Sequence, residues 1–351
     1  MDLSCFIVIS LATMACNMVG ESASVPALYV FGDSLVDNGN NNYWTTTAKA
    51  NFPHNGVDFP GGTPTGRWSN GYNTIDFLAS MLGFDSAPQP YLSPVKNTTQ
   101  GANFASGGSG ILDTTGPTTI PLSTQINFFQ SVAQNLMQQM GSQQATLHLS
   151  KSLFLISPGS NDMVAYYMGG SGPPSEITKQ LLINSLVQEL ETHLRNLYQL
   201  GARKFWMQGL FCIGCVPSSR IINPSGGCVE DGNDLARRFN AAVTQLMDRL
   251  SSTLAGMKYS HANVFSMMSA VLANPSAFGM KEVRSACCGG GINNAQLPCT
   301  PTASMCPDRN EYLFWDFVHP TQATYNLVAL QSFNGSQNFA TPINLMQLAQ
   351  S

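Results

Sequence analysis

The chain has 351 residues, only 10% of which are charged, and its formal net charge at pH 7 is -4. A protein that binds the phosphate backbone of nucleic acid needs a basic stripe. This composition provides none, so we expect no nucleic-acid partner. The length fits one α/β domain with long loops, and the sequence contains no linker, low-complexity tract or internal repeat.

The first segment of the chain, residues 1–24, is predicted to be a signal peptide. An apolar run covers 3–15, and the small residues after it suit cleavage after Ala23 or Ser24. No Lys or Arg precedes the run, which departs from the usual pattern of such peptides. A membrane anchor is the alternative, but an anchor needs about 20 continuous apolar residues, and polar residues interrupt this run.

We therefore expect a single domain at 25–351 with no integral membrane span, and the sequence does not indicate an oligomeric state. The expected location is the apoplast or cell wall, or an endomembrane lumen such as the Golgi. Two N-glycosylation sequons, which begin at Asn97 and Asn334, are consistent with this secretory route.

Five apolar runs of strand length follow the signal peptide, and amphipathic helical patterns lie between them. Strands and helices in alternation predict a parallel sheet whose two faces are covered by helices. The expected fold is therefore α/β, a three-layer α/β/α sandwich around a five-stranded parallel sheet. The predicted strands are 27–31, 102–105, 153–157, 204–208 and 263–267, and the clearest predicted helices are 177–200 and 233–254.

Groups suited to serine acyl transfer occur at both ends of the domain. Ser34 stands in the sequence FGDSL at the end of the first predicted strand, and Asp316 and His319 lie three residues apart near the C-terminus. A hydroxyl nucleophile, an imidazole base and a carboxylate that orients the imidazole are the parts of a serine hydrolase triad. Among the five histidines, only His319 follows a carboxylate at this spacing.

Each of these signals also has a simpler structural interpretation. A Gly-Asp-Ser turn can be a helix cap, and Pro320 can open a helix that leaves His319 as an ordinary loop residue. Two further segments, NFASGG at 103–108 and GSND at 159–162, accompany the second and third predicted strands. The carboxyl ends of parallel strands meet at one edge of a sheet, so Ser34 and these segments are expected to converge. No G-x-S-x-G motif occurs, which argues against an α/β-hydrolase.

The chain after the signal peptide resembles the plant-type GDSL esterase/lipases of the SGNH hydrolase superfamily over essentially its whole length. Four blocks carry the resemblance, and they occur in the order FGDSLVDNGNNN, GANFASGGSGIL, GSND and FWDFVHPT. The resemblance implies a flavodoxin-like α/β/α fold and a serine esterase that needs no cofactor. It also implies that Ser34, Asp316 and His319 are catalytic.

The same resemblance implies an oxyanion hole made by the backbone N–H of Ser34, the backbone N–H of Gly108 and the side-chain amide of Asn161. Gly107 is the alternative glycine. Three neutral donors of this kind suit the negative charge of a tetrahedral intermediate. Two acidic residues flank site residues, and both are expected to shape turns rather than to act chemically; they are Asp33 and Asp162.

The resemblance leaves the ester substrate open, because the family includes enzymes on lipid or cuticle esters and others that deacetylate wall polysaccharides. The segments ANFPHNGVDFP and TPINLMQLAQ resemble the branch that contains the deacetylases. A catalytically silent protein that binds another enzyme is the alternative, although every motif residue is present. Tyr43 and Trp44, in the loop after the nucleophile, are candidates to stack on a sugar ring.

Nine cysteines are present, and seven of them follow the predicted signal peptide. In an oxidising compartment they are expected to form disulfides, and the odd number leaves at least one thiol free. The spacing Cys212-x-x-Cys215 fits a zinc or redox site, but no second pair lies at ligand spacing, so we expect no metal. The family usually has proline where Cys212 stands. The resemblance therefore implies that Cys212 is the free thiol and that Cys215 pairs with Cys228.

Overall fold

The structure is a computed structural model that describes residues 24–94, 97–169 and 175–351. The predicted signal peptide therefore lies outside the described residues, except for Ser24. In chain order the strands are β1 (Leu28–Gly32), β2 (Gly101–Asn103), β3 (Leu153–Ser157), β4 (Lys204–Gln208), β5 (Lys258–Ala262), β6 (Glu282–Ala286), β7 (Cys288–Gly289), β8 (Ser304–Met305), β9 (Tyr312–Phe314) and β10 (Ala340–Thr341). The α-helices are α1 (Thr74–Met81), α2 (Leu122–Met140), α3 (Ser142–Lys151), α4 (Ser160–Gly169), α5 (Glu176–Gln199), α6 (Pro217–Ile222), α7 (Glu230–Thr253), α8 (Val264–Ala273), α9 (Gln322–Asn334) and α10 (Leu345–Gln350).

The central sheet has six strands in the order β10-β5-β4-β3-β1-β2. Strands β1 to β5 are parallel to their neighbours, and β10 pairs antiparallel with β5. Every residue of β1, β3 and β4 is buried, which is typical of parallel strands covered by helices on both faces. The predicted α/β fold with five parallel strands is confirmed, and the short antiparallel edge strand is an addition to it.

The fifth strand was predicted in the wrong place. The segment 263–267 is not a strand, because the Asn263 side chain accepts a hydrogen bond from the backbone N–H of Ser266 and caps α8. The true strand is the preceding segment, β5, in which Ser260 and His261 are buried. These buried polar residues conceal the strand from a search for apolar runs. The buried imidazole is accommodated by a hydrogen bond, because His261 Nδ1 lies 2.8 Å from Thr244 Oγ1.

Aromatic side chains fill the core beneath the nucleophile strand. The ring of Phe129 on α2 lies 4.9 Å from that of Tyr29 and 5.8 Å from that of Phe31, both on β1. Phe154 on β3 contacts the same Phe129 ring at 5.2 Å. All four residues are fully buried. Large apolar side chains buried this deeply hold β1 and its neighbour rigidly, which keeps the ends of these strands in place.

The disulfides lie on the C-terminal side of β4. The predicted pair Cys215–Cys228 is confirmed, and Cys212 is buried and is the free thiol among the described residues. The other disulfides join Cys287 to Cys306 and Cys288 to Cys299. The backbone N–H groups of Cys287 and Cys288 donate to the carbonyl oxygens of Phe314 and Trp315. The cross-linked region therefore supports the segment that carries Asp316 and His319.

Candidate active site

The turn after β1 places Ser34 at the carboxyl edge of the central sheet. Gly32, the last residue of β1, has a φ of +145°, and a Cβ atom there would lie 2.3 Å from the carbonyl oxygen of Ser157 on β3. Only glycine allows this close approach between the strands. The Asp33 carboxylate then accepts a hydrogen bond from the backbone N–H of Leu35 at 3.0 Å, which closes the turn around Ser34.

Asp33 behaves as the turn-shaping residue that the sequence predicted. It is fully buried, and one of its carboxylate oxygens has no hydrogen-bond partner among the described residues. Burial raises the pKa of Asp33 to about 7, against the opposing effects of the Leu35 N–H group and of His319. No hydrogen bond links the Asp33 side chain to the imidazole of His319 in the described part of the chain.

The segment after β9 holds Asp316 and His319 as a hydrogen-bonded pair. Asp316 Oδ1 accepts hydrogen bonds from the backbone N–H groups of Val318 at 2.9 Å and His319 at 2.7 Å. Asp316 Oδ2 lies 2.8 Å from Nδ1 of His319. Burial alone would raise the pKa of Asp316, but the imidazole and these N–H groups bring it below its usual value. The ionised carboxylate therefore orients the ring with Nδ1 as the hydrogen-bond donor.

The imidazole of His319 connects the two ends of the domain. Its Nε2 lies 2.8 Å from Ser34 Oγ, across 285 residues of sequence. The ring of Trp68 packs on the imidazole with the ring centroids 4.9 Å apart. Because Nδ1 is the donor to Asp316, Nε2 is free to accept the hydroxyl proton of Ser34. The structure thus brings together the three residues that the sequence predicted as a triad.

The three predicted oxyanion-hole residues line one cavity beside this triad. The backbone N–H groups of Ser34 and Gly108 have no acceptor in the described part of the chain. Asn161 Nδ2 donates one hydrogen to the carbonyl oxygen of Ser109 at 2.8 Å, which leaves its second hydrogen available. Unpaired donors beside a nucleophile are what a developing oxyanion requires.

The structure distinguishes the two candidate glycines. The N–H of Gly107 donates to Asp37 Oδ2 at 3.1 Å, so it is not available to a substrate. A Cβ atom on Gly107 would lie 2.4 Å from Nε1 of Trp68, which explains why glycine stands beneath this ring. Gly108, with a φ of +88°, presents the free N–H group. The geometry therefore favours Gly108 over Gly107.

Asp37 is a residue that the sequence analysis did not single out. Its carboxylate also accepts hydrogen bonds from the backbone N–H groups of Gly39 at 2.7 Å and Asn40 at 2.8 Å. It therefore joins the loop after the nucleophile to the loop that carries Gly107. Complete burial raises the pKa of Asp37 to about 6. The available signal was the Asp-Asn-Gly sequence at 37–39, which is typical of a side chain that closes a turn.

Asp162 has a matching structural role on the other side of the site. Its carboxylate accepts hydrogen bonds from the backbone N–H of Ile111 at 2.8 Å and from the Thr115 hydroxyl at 2.7 Å. These bonds tie the start of α4, which carries Asn161, to the loop after Gly108. The contacts agree with the turn-shaping role that the sequence predicted.

The cavity beside Ser34 has a volume of about 260 Å³ and is lined mainly by apolar side chains. The wall is assembled from segments that are far apart in the sequence, and the sequence analysis did not predict it. Its apolar members are Leu35, Ala48, Trp68, Val164, Phe211, Ile213, Val216, Phe317 and Val318. A small number of polar groups on an apolar wall is typical of a small-molecule site.

Neither aromatic residue proposed for sugar stacking lines this cavity. Tyr43 instead lines a separate cavity of about 580 Å³ beside α1, and Trp44 lines neither of the two. The remaining histidines have no hydrogen bond to Ser34 or Asp316 in the part of the chain that is described; they are His54, His148, His193 and His261.

Known proteins similar to this chain point to one family. A family model described as GDSL-like Lipase/Acylhydrolase matches residues 28–331. The chain is 39% identical over 345 residues to GDSL esterase/lipase At5g55050 of Arabidopsis thaliana, with 94% of this chain and 91% of that protein covered. It is 37% identical over 341 residues to GDSL esterase/lipase 7 of the same plant, with 93% and 92% covered.

Among solved structures, an acetylxylan esterase from Geobacillus stearothermophilus is similar over 88% of this chain and 93% of its own. The identity is 12% and the TM-score is 0.39, so this likeness carries no argument about the substrate. The family assignment rests on the sequence matches, which extend from β1 to α9. The chain therefore belongs to the GDSL-like lipase/acylhydrolase family of ester-hydrolysing serine hydrolases.

Proposed function

We propose that the protein hydrolyses carboxylic esters through an acyl-enzyme on Ser34. His319 takes the hydroxyl proton while Ser34 Oγ attacks the carbonyl carbon, and then donates that proton to the departing alcohol. A water molecule attacks the acyl-enzyme in the second half of the reaction, with His319 again as the base. Asp316 orients the imidazole and stabilises its charged form.

One observation carries this proposal. A continuous chain of contacts joins the three residues: Ser34 Oγ lies 2.8 Å from Nε2 of His319, and Nδ1 of the same ring lies 2.8 Å from Asp316 Oδ2. All three residues are almost completely buried, at 8%, 6% and 4% exposed. Such a chain allows proton transfer without rearrangement of the side chains. The second candidate, a catalytically silent binding protein, would not need this chain of contacts.

The oxyanion would lie among the N–H of Ser34, the N–H of Gly108 and the side-chain amide of Asn161. Asn161→Ala is expected to lower kcat by about 10²–10³ while KM changes little, because one transition-state donor is lost. Steady-state kinetics on a soluble ester would measure both constants. A raised KM with an unchanged kcat would show that Asn161 only positions substrate or stabilises α4.

We further propose that the substrate carries an aliphatic acyl chain longer than acetyl, as in esters of the lipid or cuticle class. The apolar wall beside Ser34 supports this choice over deacetylation of a polysaccharide. An acetyl group would leave most of this wall in contact with water, whereas each buried methylene contributes about 0.8 kcal/mol.

Acyl chain length tests this part of the proposal. With p-nitrophenyl esters, kcat/KM is expected to rise about fourfold per added methylene until the chain fills the cavity, as 0.8 kcal/mol of binding predicts. Val164→Phe, which narrows the cavity, should remove the preference for long chains and keep acetyl turnover. The matched control is Ala165→Phe, an exposed neighbour on α4 outside the cavity wall. If kcat/KM were independent of acyl chain length in the wild type and in both variants, the proposal that this cavity binds the acyl chain would be contradicted.

We propose that the protein acts in the secretory pathway or outside the cell. The three disulfides in the described part of the chain support this location, because disulfides persist in oxidising compartments and are rare in the cytosol. The acceptor asparagines of both sequons, Asn97 and Asn334, are exposed and thus open to glycosylation. In the described ranges, no helix has the length and apolar character needed to cross a bilayer.

A further inference from the structure

A cationic cavity lies at the edge of the central sheet opposite the active site. Lys204 and Lys258 are the first residues of β4 and β5 and stand side by side in the register of these parallel strands. Ser34 lies in the turn just after the carboxyl end of β1, so the two sites are at opposite ends of the strands. The cavity measures about 390 Å³, and its lining residues include Lys151, Arg203, Lys204 and Lys258.

The concentration of positive charge here is unusual for this chain. Four of the nine lining residues are Lys or Arg, in a chain that has 16 such residues and a formal net charge of -4. None of the four has an ion pair with an acidic side chain in the described ranges, although most other described cations do. No Asp or Glu lines the cavity.

Two of the four cations are held in fixed positions. Lys204 is 9% exposed, and its Nζ donates to the carbonyl oxygen of Ala349 at 2.8 Å. The guanidinium of Arg203 lies 3.8 Å from the centre of the Tyr198 ring and donates to the Tyr198 carbonyl oxygen at 2.8 Å. Cations that are already positioned lose little side-chain entropy when they bind a ligand.

The arrangement is costly for the unliganded protein. Burial lowers the pKa of Lys204, and the nearby charges of Lys258 and Lys151 lower it further. Like charges on neighbouring strands repel each other, and no Asp or Glu side chain lines the cavity to relieve the repulsion. A negatively charged ligand would neutralise these charges and strengthen its own contacts in the partly buried cavity.

We propose that this cavity binds a compact multivalent oxyanion, one that carries phosphate or clustered carboxylate groups. A concave site suits a compact anion better than a flat membrane surface, and the scattered negative charge of the rest of the chain leaves this cavity as the preferred anion site. The site binds its ligand independently of ester hydrolysis, because it lies at the far end of the strands from Ser34.

The test compares thermal stability and binding with inorganic pyrophosphate, with citrate, and with NaCl at the same ionic strength. Pyrophosphate and citrate are expected to raise the Tm of the wild-type protein well beyond the effect of NaCl, since a ligand that binds the native state stabilises it. In the double variant Lys151→Gln/Lys258→Gln, titration calorimetry should show binding weakened about tenfold or more. Turnover of a soluble ester should be unchanged.

Two further variants separate the cavity from general charge effects. The double variant Lys281→Gln/Arg284→Gln removes the same charge from exposed positions outside the cavity and should keep wild-type binding. Lys151→Arg/Lys258→Arg retains the charge and should also bind. Equal Tm shifts in the wild type and the Lys151→Gln/Lys258→Gln variant, or shifts matched by NaCl, would overturn the proposal. Binding to anionic phospholipid vesicles without any response to pyrophosphate or citrate would also overturn it.

Discussion

Replacement of Ser34 by Ala is expected to lower kcat by a factor on the order of 10⁵–10⁶, because it removes the proposed nucleophile, the hydroxyl that contacts Nε2 of His319. His319→Ala should lose nearly as much, since the hydroxyl and its base act as a unit. The double variant Ser34→Ala/His319→Ala should be no slower than either single variant. The fold should persist, because Ser34→Ala removes one hydroxyl that hydrogen-bonds to His319.

Pre-steady-state and steady-state kinetics with a medium-chain ester would measure this loss, and circular dichroism would verify the fold. The matched control is Ser218→Ala, because Ser218 lines the same cavity but its hydroxyl has no hydrogen bond to His319. We expect its activity to stay within a few-fold of wild type. Retention of more than a few per cent of activity by Ser34→Ala or His319→Ala would reject the triad assignment.

Asp316→Asn is expected to lower kcat by about 10⁴ with little change in KM. The carboxylate holds Nδ1 of His319 as a donor, at 2.8 Å from Oδ2. The asparagine oxygen can still accept hydrogen bonds from the backbone N–H groups of Val318 and His319. Its NH₂ group, however, can then face Nδ1 of the His319 ring and donate to it. The imidazole would then carry its proton on Nε2, where it cannot accept the proton of Ser34.

Asp33→Asn is the comparison that isolates this effect. Above about pH 8, where a carboxyl group with a pKa of about 7 is mostly ionised, this substitution also neutralises a buried carboxylate near the site. The Asp33 side chain, however, accepts a hydrogen bond from the N–H of Leu35 and has none to the imidazole. Its loss of kcat should be at least tenfold smaller. Equal losses from the two substitutions would mean that negative charge near His319 matters, rather than the orientation of its ring.

The local chemistry of the site could be predicted from short motifs, because each motif specifies its own turn. The sequence FGDSL combines a strand end, a glycine and a serine, and the structure shows this turn closed by Asp33. The spacing of Asp316 and His319 lets the carboxylate reach both the backbone and the ring of the same residue. Such contacts span only a few residues, so they depend little on the rest of the fold.

The alternation of strands and helices likewise sufficed to predict the parallel sheet, because fully buried strands are continuously apolar. Where a strand broke this rule, the prediction was wrong. In β5, Ser260 and His261 are buried, and the hydrogen-bond partner of the His261 imidazole is Thr244 on α7. That partner is set by helix packing, which no local pattern of β5 indicates.

By itself, then, the sequence determined the family and the fold class, and it indicated the residues proposed for ester chemistry, since these depend on local turns and on periodic burial. Only the tertiary structure decided how those residues are used. It favours Gly108 over Gly107 as the proposed oxyanion donor, because Asp37 accepts the hydrogen bond of the Gly107 N–H. It built an apolar cavity from distant segments and gathered four cations at the opposite edge of the sheet. These features arise from contacts between elements far apart in the chain, and such contacts leave no signature at any single position.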